Sequence, residues 1–330
     1  MKVLVTGSSG HLGEALVRVL SSDGIDVVGI DCKAGSHTHH VGTIVNREWL
    51  SECMRDVTVV LHTATLHKPH VATHKRQDFV DTNITGTLNL LECAVSNGVD
   101  AFVMTSTTST FGDAMRPQPG DPAVWVTEDL VPKPRNIYGI TKTAAEDLCV
   151  LFHRNQKLNC LVLRTSRFFP EPDDSAAQRD QYADTNLKVN ELLYRRVDIQ
   201  DVVDAHRLAI AKAPGLGFGR YIISATPPFC TADLAALGQD APSVVKRYVP
   251  DYEAVYQRRG WRMLPALGRV YDNRLAREEL GWNPQYTFAY AIRRLAADKE
   301  YRSDLTLTIG AKGYHDQVYT DGLYPVEYGE

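Results

Sequence analysis

Tyr138 and Lys142 stand one helical turn apart in Asn136-Ile137-Tyr138-Gly139-Ile140-Thr141-Lys142, which puts both side chains on one face of a helix. A phenol titrates at about 10, too high for a base at neutral pH, and a neighbouring ammonium favours the phenolate. Such a pair can exchange a proton with a substrate hydroxyl or carbonyl while a bound carrier takes or gives hydride. Tyr-x-x-x-Lys is also common on solvated helices, so its meaning depends on its surroundings. Upstream lies Met104-Thr105-Ser106-Thr107-Thr108-Ser109-Thr110-Phe111-Gly112, whose hydroxyls fall at the carboxyl end of a predicted strand. One of them can hold the reacting oxygen near Tyr138.

A second group of residues addresses an anion. Thr6-Gly7-Ser8-Ser9-Gly10-His11-Leu12-Gly13 lies between the first predicted strand and the first predicted helix, where free backbone N–H groups face a phosphate. Gly7 permits a sharp turn, Gly10 lets the backbone approach a pyrophosphate, and Gly13 lets helix and strand pack closely. Asp31 ends the second strand in Val27-Val28-Gly29-Ile30-Asp31, where a carboxylate accepts from the ribose hydroxyls of a dinucleotide. It would repel a 2′-phosphate, which favours NAD over NADP, with Lys33 pulling the other way.

These residues need a scaffold, and the hydropathy pattern supplies one. Residues 3–5, 27–30, 57–61, 101–105 and 161–163 read as buried strands. Leu12, Ala15, Leu16, Val19 and Leu20 recur at helical spacing, as do Val80, Ile84, Leu88, Leu91 and Val95, and then Ile140, Ala144, Leu148 and Leu151. Strand and helix in alternation predict an α/β fold, a Rossmann-type doubly wound parallel sheet, with a smaller α/β C-terminal substrate-binding cap. The expected division is an NAD-binding domain over 1–168, to which 197–224 returns, and a cap from 169–196 and 225–330. Residues 201–213 read as a helix and 221–224 as a strand. Five tyrosines (Tyr301, Tyr314, Tyr319, Tyr324 and Tyr328) near the end are expected to wrap over a surface.

Composition removes other classes. The 330 residues are 44% hydrophobic and carry 36 basic against 40 acidic side chains, a formal charge of -4, with neither sign in a long block. Neither nucleic acid nor an anionic membrane is expected as the main partner. No apolar run approaches the roughly 20 residues of a membrane span, and the first residues lack a signal peptide's apolar core, so a cytoplasmic location is expected. The six cysteines include no Cys-x-x-Cys pair, which argues against a disulfide framework or a cysteine zinc cage. His37, His39 and His40, and then His67, His70 and His74, fall in predicted loops without a carboxylate or thiol at ligand spacing, and no metal site is expected.

Taken together, these motifs resemble the extended short-chain dehydrogenase/reductase superfamily, and within it the NAD-dependent epimerase/dehydratase group. Further similarities are Val60-Leu61-His62-Thr63-Ala64, Asn83-Ile84-Thr85-Gly86-Thr87, Asp201-Val202-Val203-Asp204-Ala205-His206 and Leu280-Gly281-Trp282-Asn283-Pro284. The resemblance implies a catalytic set of Thr107, Tyr138 and Lys142. It implies NAD held by Gly7, Ser9, Gly10, His11, Leu12, Asp31, Cys32 and Ile44, with Thr63, Ala64, Thr65, Asn83 and Thr105 along the cofactor and Thr165 beside the nicotinamide. Tyr138 and Lys142 would also touch the cofactor. It further implies a homodimer through the helices around 79–97 and 138–154.

Departures from the family pattern narrow the expectation. Thr108 and Ser109 occupy the positions of the Asp-Glu pair of dehydratases and cannot do that acid/base work. Arg167 replaces an asparagine usual in nucleotide-sugar epimerases, and Asp198 replaces a histidine in Arg196-Val197-Asp198-Ile199-Gln200-Asp201. The segment between Pro170 and Arg196 is short, so the pocket is expected to lack room for a nucleotide diphosphate sugar. Thr43 replaces an acidic residue near the adenine. The favoured reading is an NAD-dependent dehydrogenase or reductase acting on a small polar alcohol or carbonyl such as a sugar, sugar acid or hydroxy acid. His67, Thr107, Thr108 and Arg167, with His70, would contact it. Arg167 could equally form an internal salt bridge, and Arg258-Arg259-Gly260-Trp261-Arg262 reads as solvated surface. The alternatives are an NAD-dependent sugar or nucleotide-sugar epimerase and a non-catalytic NAD-binding regulatory protein.

Overall fold

The computed structural model describes residues 1–313. Seven parallel strands form one sheet in the order β3-β2-β1-β4-β5-β7-β8. They are β1 (Lys2–Thr6), β2 (Asp26–Asp31), β3 (His40–Val41), β4 (Val59–His62), β5 (Ala101–Thr107), β7 (Cys160–Thr165) and β8 (Phe218–Ile223). β6 (Val124–Val126) and β9 (Arg269–Tyr271) pair with each other in a separate parallel ladder. The order reverses between β1 and β4, and the crevice at the carboxyl ends of these strands is where sheets of this kind bind ligands.

The strands are near-continuous runs of Val, Leu and Ile because both faces are covered. Val3, Val5, Leu61, Val103 and Leu163 pack on one side with α1 (His11–Ser22) and a later helix at Ile199–Leu216. Leu4, Val60, Phe102, Met104 and Val162 pack on the other. There they meet α2 (Arg47–Cys53), then α3 (Arg76–Phe79), which runs through a π-helical turn at Val80–Thr85 into α4 (Gly86–Ser96), and finally α5 (Ile137–Gln156). Asn136 caps α5 by accepting from the Gly139 N–H at 3.1 Å, which fixes where the helix begins and hence where Tyr138 stands.

A second core joins Val189, Leu193, Val244, Val245, Tyr256, Phe288 and Ile292 with the buried Tyr301. The sequence division is too simple at one place. Ala276, Leu280, Trp282 and Ile309, assigned to the cap, pack instead with the first core under α1. Trp282 Nε1 donates to the Asp201 carbonyl at 2.9 Å, and the Asp201 carboxylate accepts from the Gln285 and Tyr286 amides. An indole that must bury its ring and still find an acceptor selects this site. β3, β6 and β9 were not legible in the sequence, because strands of two or three residues show no period. Tyr314, Tyr319, Tyr324 and Tyr328 lie outside the described residues. No helix among the described residues is long and apolar enough to cross a membrane.

Candidate active site

The loop after β1 is shaped for close approach. Gly7 has φ +72°, and its carbonyl accepts from the Gly10 N–H at 2.9 Å. A Cβ on Gly13 would sit 2.0 Å from the Gly7 oxygen, so only glycine fits there. No side chain caps the amides that open α1, and Gly10, His11, Leu12 and Gly13 line the cleft. The helix N-terminus faces the cleft there, and the positive end of its dipole suits an anion. Asp31 is fixed at the rim: one carboxylate oxygen accepts from the Ser9 N–H and the other from the Lys33 N–H, both at 2.9 Å. Ser9, Cys32, Thr43 and Ile44 line the same end. This cradle, which a single Cβ would fill, suits the diphosphate and adenosine ribose of NAD.

Deeper in, Thr63, Ala64, Thr65, Thr105, Thr107, Thr108, Tyr138 and Thr165 line the cleft. The Thr107 hydroxyl accepts from the Ser109 N–H at 3.1 Å and is hydrogen-bonded to the Tyr138 phenol. Burial pushes Tyr138 up to about 12, only partly offset by that bond. Burial also pulls Lys142 down to about 8, with Glu146 and Cys149 opposing. The expected acidification of the phenol by Lys142 is therefore absent in the free protein. Loss of water penalises phenolate and ammonium alike, and the Lys142 Nζ donates to the Thr105 carbonyl at 2.9 Å.

Asn83 does not line the cleft. Its carboxamide is buried behind the wall, donating to the Leu66 carbonyl and the Thr141 hydroxyl and accepting from the Leu66 N–H and the Thr65 hydroxyl. It braces the Thr65 loop against α5, and the π-helical turn sets its aim. His62 is a second brace. The Thr6 hydroxyl accepts from the Thr63 and Ala64 amides, so it must donate to His62 Nδ1 at 2.9 Å. The Thr87 hydroxyl donates to the Asn83 carbonyl and accepts from Nε2–H of the ring. Burial, with Lys142 nearby, holds this imidazole well below its ordinary pKa and neutral.

The substrate end is built from side chains. Arg167 is 19% exposed at the cleft. Its guanidinium lies 3.5 Å from the Asp173 and Asp174 carboxylates and donates to the Pro172 carbonyl at 2.9 Å. Of the two roles left open by the sequence, the internal ion pair is the one formed. Buried Glu191 takes Arg195 at 2.5 Å and Arg196 at 2.6 Å. Despite burial, these cations and Arg167 hold its carboxyl down to about 2. His67 stacks on Phe169, ring centroids 5.4 Å apart, and its backbone N–H donates to His70 Nδ1 at 3.1 Å. Lys68, Phe169, Asp174 and Arg195 also line this end and carried no sequence signal, since their partners are distant in the chain. Among the described residues, no group of three or more His, Cys, Asp or Glu is arranged to hold a metal.

Residues 3–223 match the family model described as the NAD dependent epimerase/dehydratase family. The chain belongs to this family. Its cofactor is NAD, in keeping with the glycine cradle and Asp31. A UDP-glucose 4-epimerase of Rhizobium leguminosarum bv. trifolii is 26% identical over 88% of this chain and 95% of its own length. The low-salt glycan biosynthesis protein Agl12 of Haloferax volcanii is 31% identical over 51% of this chain, and the match spans 57% of that protein. A short-chain dehydrogenase/reductase superfamily protein from Agrobacterium tumefaciens, solved with bound NAD, superposes with a TM-score of 0.63 at 22% identity, covering 90% of this chain and 98% of that one. UDP-glucuronic acid 4-epimerase from Bacillus cereus, solved with NAD, gives 0.63 at 22% identity over 91% and 95%. These two likenesses show the fold.

The cleft measures about 1290 Å³, a volume that includes the dinucleotide end at Gly7, Gly10, Asp31 and Ile44. At its other end it opens towards Gly112, Met115, Arg135 and Tyr271 as well as Asp174 and Arg195.

Proposed function

We propose that the chain is a sugar epimerase that oxidises a carbinol and returns hydride to the opposite face, working as a cytoplasmic homodimer. What supports this over net oxidation of a small alcohol is the near full-length similarity to a UDP-glucose 4-epimerase, joined to an intact Thr107, Tyr138 and Lys142 set. In this reading the N-terminus of α1 holds the diphosphate of NAD, Asp31 the adenosine ribose and Lys142 the nicotinamide ribose. NAD supplies the hydride acceptor and donor. Thr107 fixes the reacting oxygen, and Tyr138 takes the carbinol proton and gives it back. The phenol is protonated in the resting protein, so abstraction needs positive charge beside it, and Lys142 is the chain's own source. Thr108 and Ser109 give dehydration no acid/base pair. The dimer would form through the helix faces of α4 and α5, where Ile140 is 51% exposed.

The test is to incubate the protein with NAD and a panel of free and nucleotide-linked hexoses, following epimers by NMR and reduced nicotinamide by absorbance. Epimer formation without accumulating NADH is the expected result. NADH rising in step with product would replace this reading with net dehydrogenation. Tight NAD binding with no turnover on any sugar would make the chain a non-catalytic NAD-binding protein. Sedimentation velocity reads the dimer.

A further inference from the structure

The loop that follows β7 is fastened across the cleft by one buried carboxylate. Glu171 is 2% exposed, and a single one of its oxygens takes His11 Nε2 at 2.8 Å, the Lys312 N–H at 2.9 Å and the Gly313 N–H at 3.1 Å. Burial raises its pKa, yet the His11 and Lys312 donors hold the carboxyl down to about 2. An ionised carboxylate can only accept, so His11 donates. His11 belongs to the glycine turn, and Lys312 and Gly313 follow the helix at Asp304–Ile309, so Glu171 joins three segments far apart in the chain.

Further contacts secure this junction. The Lys312 ammonium pairs with Glu14 of α1, and Lys68, on the 3₁₀ turn at Lys68–Ala72, pairs with Asp174 of the same loop. Phe169 meets the His11 ring edge-on, centroids 5.2 Å apart. On the cap side Arg195 holds Asp173 at 2.6 Å, so the loop is tied to both walls. His11, Lys68, Asp174 and Lys312 line the same cleft as Gly10 and Asp31. Lys68 and Lys312 are also exposed, which places the fastening at the rim. What holds it is polar: residues 170–175 and 310–313 give no side chain to any hydrophobic core of the described residues. Polar contacts at a rim can part without unpacking a core.

We propose that residues 170–175, locked by Glu171 to the glycine turn and to residues 312–313, form a strap over the dinucleotide end of the cleft, and that NAD and NADH pass only when this lock opens. The strap rests on NAD binding and not on the sugar reaction; in the epimerase reading it keeps NADH in place between the two hydride transfers. Stopped-flow fluorescence of NADH on the full chain tests it, with association followed on mixing and dissociation by a chase with excess NAD. A lock that closes the cleft with and without the dinucleotide slows entry and exit alike, so weakening it should speed both and leave affinity nearly constant. In Glu171→Gln both rates should rise about tenfold with Kd within about threefold. Lys68→Met and Lys312→Met, at exposed side chains, should raise both rates by less, and they decide the matter if Glu171→Gln fails to fold. Unchanged rates would overturn the strap. Faster dissociation alone, with Kd weakened in step, would also overturn it, making Glu171 a static support of the glycine turn. No turnover of any sugar alongside Glu171-dependent NADH exchange would overturn the epimerase reading and leave the strap standing.

Discussion

At the dinucleotide end of the cleft the chain presents the backbone at the start of α1 and one carboxylate, Asp31, held by the Ser9 and Lys33 amides. At the substrate end it presents arginines from segments far apart in sequence, some matched to Glu191, Asp173 and Asp174 and some unmatched. The first end works through main-chain groups that any strand-turn-helix of the right glycine spacing offers. The second works through side chains whose partners lie far away in the chain, as with Lys68 and Asp174, 106 residues apart. Cofactor choice can therefore stay constant while substrate choice changes, because the two depend on different parts of the molecule.

The contrast can be broken at its centre first. Tyr138 sits where the two ends meet, and Tyr138→Phe should lower turnover about a thousandfold while NAD affinity stays within about twofold, since the loss falls on proton transfer. Steady-state rates and calorimetric NAD titration read the two quantities, and wild-type turnover in the mutant would remove Tyr138 from its assigned role. Glu191→Gln tests whether the substrate end is an independent structural unit. It leaves Arg195 and Arg196 without their buried counter-charge and should cost about 3 kcal/mol in urea unfolding, with NAD binding by the folded fraction unaffected. A parallel loss of NAD affinity would show the two ends to be coupled.

Asp31→Ala sharpens the comparison from the other side. It should weaken NAD about tenfold and leave NADP less affected, because in the proposed reading the lost carboxylate would accept from the ribose and repel a 2′-phosphate. Equal losses for both dinucleotides would undo the ribose assignment. The smallest effect concerns Lys142, whose folded-state pKa of about 8 lies below that of an unfolded lysine. Between these values the unfolded chain holds a proton that the folded one has released, so folding is favoured as pH rises. The wild type should gain on the order of 1 kcal/mol over Lys142→Met per pH unit above 8, measured by urea unfolding.

Much of the nucleotide end was legible. The strand runs at 3–5 and 101–105, the glycine turn and the Tyr138/Lys142 spacing each follow from local rules of period, φ and helix geometry. Asn83 was legible as important yet misplaced, because only the π-helical turn shows it bracing Thr65 and Leu66 from behind the wall. Trp282 was read into the cap, and its indole is buried instead against the first core with Asp201 as acceptor. The acidity of Tyr138 went wrong for a related reason: spacing along a helix gives proximity, but not how much water the fold removes.

The order of residues alone determined the parallel sheet, the diphosphate turn and the placing of a phenol and an amine on one helix face, since each depends on neighbours within a few residues. The ion-pair network around Glu191 and the proton affinities of Tyr138 and Lys142 were decided only by tertiary structure. Charge balance and desolvation are sums over everything that surrounds a group, and folding alone assembles those surroundings.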